Sequence, residues 1–135
     1  MAMNHPNRMV TTGRVLSALA ILFLTFDVGV KLVQLPVVAE TLAALGYPSD
    51  LGLTIGIVEL VCLVLYVVPR TAVLGAVLWT AVFGGGIASH IRVDSPLFSH
   101  ILFGVYLGLF VWGGLYLRNP RLRELLPVTR QRRRA

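Results

Sequence analysis

Charge is scarce in this sequence, and the scarcity indicates its class. Only 13% of the 135 residues are charged, whereas 56% are hydrophobic and the mean hydropathy is +0.80. A soluble domain usually has about 25% charged residues. The apolar residues form four runs of roughly twenty residues, each long enough to cross a hydrocarbon core about 30 Å thick. The composition therefore predicts an integral membrane protein.

The sequence also lacks the motifs of several enzyme classes. Cys62 is the only cysteine, so neither a disulfide within one chain nor a redox CxxC pair can form. No GxSxG nucleophile motif and no nucleotide-binding glycine loop is present. No HxxH, HxxxH or ExxH spacing favours a metal or haem site. We therefore expect no metal site, no covalently bound cofactor and no self-contained hydrolase or thiol oxidoreductase.

Positive charge is concentrated at the end of the chain. The net charge is +6, but seven of the twelve basic residues follow residue 117. Such a tail favours contact with anionic lipid head groups, and we expect no nucleic-acid partner. The predicted organisation is a leader at 1–12, a transmembrane domain at 13–117 and an Arg-rich cytoplasmic tail at 118–135.

Hydrophobic runs and helix breakers divide the central part of the chain into helices. The four predicted spans are about 13–33, 51–68, 71–91 and 97–117. A short amphipathic helix at 37–45 should lie on the membrane surface before Gly46 and Pro48 end it. Because short connections make neighbouring helices antiparallel, the predicted fold is an all-α, up-down-up-down bundle of four helices.

The distribution of Lys and Arg predicts the orientation of these spans. Arg8 and Arg14 lie near the start of the first span, Arg70 lies between the second and third, and the basic tail follows the fourth. The other side has only Lys31 and Arg92, with acidic residues nearby. By the positive-inside rule, both termini should therefore be cytoplasmic.

Each predicted span places one titratable residue in its outer half: Asp27, Glu59, His90 and His100. Asp27 and Glu59 should lie roughly 9 Å and 12 Å deep, at a rise of 1.5 Å per residue. Because an isolated charge in lipid costs several kcal/mol, these side chains should turn inward and meet in a pocket. The opposite interpretation is that each one snorkels or forms a hydrogen bond separately.

The spacing of the charged residues suggests partners. Asp27 and Lys31 stand at i and i+4, which favours a structural ion pair. Glu59 has no basic neighbour at i+3 or i+4, so its partner should come from another helix. The candidates are His90, Arg92 and His100.

Small and aromatic residues suggest how the helices pack. Close helix contacts are expected at three pairs of small residues: Gly52 with Gly56, Gly85 with Ser89, and Gly104 with Gly108. The aromatic residues are interpreted as lipid-facing or interfacial: Tyr66, Trp79, Tyr106, Trp112 and Tyr116.

Several segments together resemble the DoxX-like family of small bacterial four-helix membrane proteins, over about residues 13–127. They are 45–48, 66–76, 84–92, 96–100 and 112–118. The resemblance implies a multi-pass protein of the bacterial cytoplasmic (inner) membrane. Founding members of the family resemble the membrane subunit of a thiosulfate:quinone oxidoreductase, and other relatives are linked to membrane redox complexes. Polar positions of the family pattern match Asp27, Glu59, His90, Arg92 and His100, without an assigned catalytic role.

The leading hypothesis is a redox-linked membrane subunit that binds a quinone or similar small lipophilic molecule near the outer face. Glu59 and His100 would exchange protons with it, because such exchange needs groups that titrate near neutrality. Asp27 and His90 would orient the head group, and Arg92 would bias the local charge. A partner subunit would supply the electrons, so the chain would be a non-autonomous part of an oxidoreductase.

Two other functions remain open. A carrier or permease for a small solute would use the same cluster as its binding site and would require a homo-oligomer, because four short helices enclose little space. A non-catalytic scaffold subunit would use the polar residues only to fix helix register.

Overall fold

The computed structural model describes residues 5–126, and every regular element in that range is helical, which confirms the all-α class. The elements are α1 His5–Leu32, α2 Pro36–Ala44, α3 Leu51–Val67, α4 Ala72–Arg92, a π-helical turn Leu97–Ile101, α5 Phe103–Arg118 and α6 Pro120–Leu125. Residues 1–4 of the predicted leader and residues 127–135 of the predicted tail lie outside the described residues.

Three helical stretches are long and apolar enough to cross a membrane. They are Asn7–Leu32, Ala72–Arg92 and Leu97–Arg118, the last combining the π-helical turn with α5. The fourth apolar helix, α3, is shorter, with 17 residues. The chain is therefore a membrane protein, as the hydropathy predicted.

Two helix boundaries differ from the sequence prediction. α1 begins at His5, inside the predicted leader, and continues without interruption into the first apolar run. The last long helical stretch opens with a π-helical turn, in which Leu102 N donates to Leu97 O at 2.9 Å, a step of five residues. This turn holds one residue more than an α-helical turn, so it changes the direction in which the side chains that follow it project.

The chain has a positive φ two residues after the last residue of α1, α2 and α4. These residues are Gln34 (59°), Gly46 (77°) and Asp94 (54°). After α4, Asp94 N donates to Ile91 O at 3.1 Å and Ser95 N donates to His90 O at 3.0 Å. This is the Schellman pattern, which satisfies the free carbonyl groups at the end of a helix. It also places Ser95 beside His90.

The long helices pack around a shared core. α1 contacts α3 and α5, and α4 contacts the same two helices. The largest fully buried side chains are Trp79, Tyr66, Leu24, Leu115 and Val111. The lipid-facing interpretation was therefore wrong for Tyr66 and Trp79, which are 0% and 1% exposed. Their large apolar rings fill the centre of the molecule.

A chain of hydrogen bonds fixes the end of the core where α1 begins. Tyr66 OH donates to Val111 O at 2.8 Å and lies 3.0 Å from Ser17 Oγ. Because the tyrosine proton is used, Ser17 donates to Tyr66 and accepts from Arg118 Nε at 3.1 Å. Buried hydroxyl groups require such partners, and this set joins α1, α3 and α5.

Close helix contacts occur at some of the predicted small residues. A Cβ atom at Gly52 would lie 2.6 Å from Val38 Cγ1, and one at Gly104 would lie 2.9 Å from Ile87 Cγ1. The prediction was wrong at Gly85, where a Cβ atom would meet nothing within 4 Å. The glycine run of α4 therefore faces outward.

Gly114 should be intolerant of substitution. A Cβ atom there would lie 2.7 Å from Ser17 N and 3.0 Å from Gly13 O, so Gly114→Ala should force α1 and α5 apart. We expect a loss of about 1–3 kcal/mol in the free energy of unfolding, typical of overpacking. The measurement is denaturant-induced loss of helicity in detergent micelles.

Gly113→Ala is the matched control. The nearest atom to a Cβ atom there is Leu16 Cδ1 at 3.8 Å, an ordinary contact, so this variant should unfold like the unaltered chain. If Gly113→Ala and Gly114→Ala are equally stable, α1 and α5 do not pack closely at Gly114.

Candidate functional site

Lys31 lies between two carboxylates, near the end of α1. Its Nζ atom is 2.6 Å from Asp27 Oδ2, and 2.8 Å and 2.7 Å from Glu59 Oε1 and Oε2. Asp27 is one turn away on α1, whereas Glu59 belongs to α3. The three side chains, named here the acid–lysine bridge, therefore connect two helices.

The bridge confirms that the partner of Glu59 comes from another helix, but it is Lys31 and none of the expected candidates. The reason lies in the packing of α1 on α3. A Cβ atom at Gly56 would be 2.9 Å from Lys31 Cβ, so only glycine lets the lysine backbone approach this closely. The lysine side chain then reaches Glu59, less than one turn further along α3.

Burial increases across the bridge. The side chain of Asp27 is 36% exposed, that of Lys31 is 20% exposed and that of Glu59 is 5% exposed. One end of the bridge is thus open to the surroundings, while the other end lies inside the protein.

The bridge has more negative than positive charge. Two ionised carboxylates and one ammonium leave a net charge of −1, and an uncompensated charge in a poorly solvated place is costly. A proton on either carboxylate removes that surplus while hydrogen bonds to Lys31 persist. The arrangement can therefore bind and release a proton.

A pair of aromatic rings lies one helical turn from the exposed end of the bridge. Phe23 lies one turn before Asp27 on α1, and its ring packs edge-on against Phe103 of α5 with centroids 5.4 Å apart. Both side chains are partly exposed, at 38% and 42%. An apolar ring system could thus lie against these phenylalanines next to a charged, hydrogen-bonding group.

The two histidines form a second group. The ring centroids of His90 and His100 are 5.3 Å apart and the planes meet at 62°. His90 Nδ1 lies 3.0 Å from Ser95 Oγ, and His100 Nδ1 lies 2.7 Å from Ser99 Oγ. We name these imidazoles the histidine pair.

Arg92 belongs to a third group. Its guanidinium donates to Leu45 O and lies over the Tyr47 ring, 5.6 Å from the centroid. Tyr47 OH in turn lies 2.9 Å from Ser89 Oγ. Arg92 therefore links the connection between α2 and α3 to the end of α4.

The hydrogen bonds and ion pairs of the predicted site residues therefore fall into three groups. Within residues 5–126, no hydrogen bond or ion pair joins the acid–lysine bridge to the histidine pair. No group of three or more His, Cys, Asp or Glu side chains in that range could hold a metal ion. Sequence spacing missed the serine partners and the central position of Lys31.

Apolar helices of membrane-spanning length that hold an acid–lysine bridge among them define a small multi-helix membrane protein. The sequence pattern of the DoxX-like family matches residues 15–114, and the chain belongs to that family. Comparison with curated proteins and with solved structures finds no match.

Loss of the lysine should destabilise the fold more than loss of the exposed acid. Lys31→Met leaves the nearly buried Glu59 without a counter-charge, and we expect a loss of about 3 kcal/mol in the free energy of unfolding. Asp27→Asn should cost much less, because Asp27 is 36% exposed. Unfolding in detergent micelles measures both.

A double variant distinguishes charge from packing. Lys31→Met combined with Glu59→Leu removes both charges, so it should regain most of the stability lost in Lys31→Met. If the double variant is as unstable as the sum of the two single changes, the ion pair does not couple α1 to α3.

Proposed function

We propose that this DoxX-like protein is a redox-linked membrane subunit that binds a quinone or a similar small lipophilic molecule at the acid–lysine bridge. The observation that carries the proposal is Lys31 held between two carboxyl groups, of which Asp27 is 36% exposed and Glu59 is 5% exposed, with the Phe23–Phe103 ring pair one turn from Asp27 along α1. Such a place offers an apolar surface for a ring and polar groups for its oxygens.

The chemistry of a quinone fits these groups. Its reduction to a quinol takes up two electrons and two protons, and its carbonyl oxygens accept hydrogen bonds. The three N–H donors of the Lys31 ammonium point to Asp27 and Glu59, so a quinone oxygen accepts from Lys31 by displacing one of these carboxylate oxygens. A proton held by the bridge can then pass to a reduced oxygen. Glu59 is the proton store in this proposal and Asp27 faces the ligand, while a partner subunit supplies the electrons.

The other expected residues take different places in the proposal. His90 and His100 lie in a separate group, so proton exchange at the ligand rests on Glu59 rather than on His100. Arg92 holds the α2–α3 connection, which closes the same end of the molecule. Its charge acts on the ligand only at a distance.

We further propose four spans with both termini in the cytoplasm of a bacterial inner membrane. α3, with 17 residues, is about 26 Å long at 1.5 Å per residue, close to the hydrocarbon thickness. The hydrogen bonds among Ser17, Tyr66 and Arg118 bring together the first half of α1 and the ends of α3 and α5. Alternating helix directions account for this, and the positive-inside rule places that end in the cytoplasm.

Labelling of single cysteines tests the orientation. In a Cys62→Ser background, a membrane-impermeant maleimide added to cells whose inner membrane faces the medium should label Ser49→Cys and leave Arg121→Cys unlabelled until the membrane is permeabilised. Both positions are exposed, so accessibility in the protein itself is matched. The reverse labelling pattern would invert the proposed topology.

Quinone content tests the function. Quinone should co-purify with the detergent-extracted protein and fall at least about tenfold in Glu59→Gln, because the neutral amide cannot hold the exchangeable proton or the ion pair. Glu40→Gln, which changes an exposed carboxyl on α2, is the matched control and should retain quinone. Extraction and chromatography of bound lipids give the readout, with helicity as a check on folding.

The same variants separate the competing functions. If Glu59→Gln is less stable but keeps its quinone, the bridge is a scaffold that sets helix register. If no quinone is bound and proteoliposomes show a solute flux that Glu59→Gln abolishes, the protein is a carrier.

A further inference from the structure

We propose that His90 and His100 form a binding site for one divalent transition-metal ion of the zinc and copper type, at the outer end of α4. The site uses none of the residues of the acid–lysine bridge. Failure of the quinone proposal would therefore leave it intact, and its own failure would leave the quinone proposal intact.

The separation of the two rings fits a shared ion. An imidazole nitrogen lies about 1.1 Å from its ring centre. Zinc–nitrogen distances of about 2.0 Å at a tetrahedral angle therefore place two ligating rings about 5.1 Å apart, centre to centre. The centroids of His90 and His100 are 5.3 Å apart. The spacing of the two rings is therefore compatible with a single shared ion.

The serine partners leave the appropriate nitrogen of each ring for a metal. Nδ1 of His90 faces Ser95 Oγ and Nδ1 of His100 faces Ser99 Oγ. When Nδ1–H donates to the hydroxyl, Nε2 carries the lone pair that binds a metal, and hydrogen bonds of this kind orient metal-bound histidines. In the described part of the chain, no hydrogen bond engages either Nε2 atom.

The backbone fixes both histidines near the loop at residues 93–96. The Schellman ending of α4 ties Ser95 to His90 by a backbone hydrogen bond as well as by its side chain. The π-helical turn carries Ser99 and His100, and Pro96 O accepts from His100 N at 3.1 Å. Two defined backbone motifs, rather than a free loop, therefore support the pair.

The donor set indicates the class of ion. Imidazole nitrogen favours zinc and copper over magnesium and calcium, which prefer oxygen. Two protein nitrogens leave further positions for water, so the affinity should be micromolar rather than that of a closed structural site. The spacing rules missed this pair because nine residues separate the histidines and include both the loop and most of the π-helical turn.

Metal titration of the full chain tests the proposal. Protein stripped with a chelator in detergent micelles should bind about one Zn²⁺ per chain by calorimetry, and Co²⁺ should give the visible absorption of nitrogen ligation. His90→Ala and His100→Ala should each abolish this binding. His5→Ala removes the third histidine of the chain and is the control that should keep it.

A milder variant controls for loss of Zn²⁺ binding that is caused by unfolding. Ser99→Ala keeps both imidazoles but removes the partner of His100 Nδ1, so Zn²⁺ should bind about tenfold more weakly with unchanged helicity. If the His90→Ala, His100→Ala double variant binds as much Zn²⁺ as the unaltered chain, or if unaltered protein binds none, the proposal is wrong.

Discussion

The ion pair between Lys31 and Glu59 is the constraint on which the packing of α1 against α3 depends. Removing either charge from water costs several kcal/mol, and only a close partner of opposite sign offsets that cost. Lys31 is on α1 and Glu59 is on α3, so the pair sets both the rotation and the axial position of these helices. The glycine at position 56 follows from the same requirement, because α1 and α3 must nearly touch there.

The two ends of the molecule use polar groups differently. At the end near Ser17 and Tyr66, each hydroxyl has its hydrogen-bond partners and the residues are buried. At the other end, charge is in surplus and exposure increases from Glu59 to Asp27. A fully satisfied network adds rigidity, whereas a charged and partly open group can exchange protons and bind ligands. The buried network near Ser17 thus stabilises the helix bundle that carries the partly exposed acid–lysine bridge.

Hydropathy and helix breakers predicted most of the helices, because those signals act within one segment. The spans predicted at 51–68 and 71–91 agree with α3 and α4 to within a residue at each end. The start of α1 differed because no strong helix breaker separates the polar leader from the apolar run. Tyr66 and Trp79 were misplaced since composition does not reveal which face of a membrane helix meets its neighbours.

Contacts between helices were less predictable than contacts within them, and the acid–lysine bridge shows why. Asp27 and Lys31 were paired correctly, since i and i+4 share a face of any helix. Predicting the partner of Glu59 would have required the axial register of α1 on α3. That register depends on side-chain volumes along the whole contact. The same limit applied to the hydroxyl partners of His90 and His100, which depend on how α4 ends and how the π-helical turn begins.

The division of the outer polar residues into separate groups has a consequence for how the protein can work. Groups in one hydrogen-bonded network change together, whereas groups without a shared partner respond independently to substitution. The acid–lysine bridge is held by ion pairs between α1 and α3, whereas each ring of the histidine pair has its own serine partner. Substitutions in the acid–lysine bridge should therefore leave the contacts of the histidine pair unchanged, and the reverse should also hold.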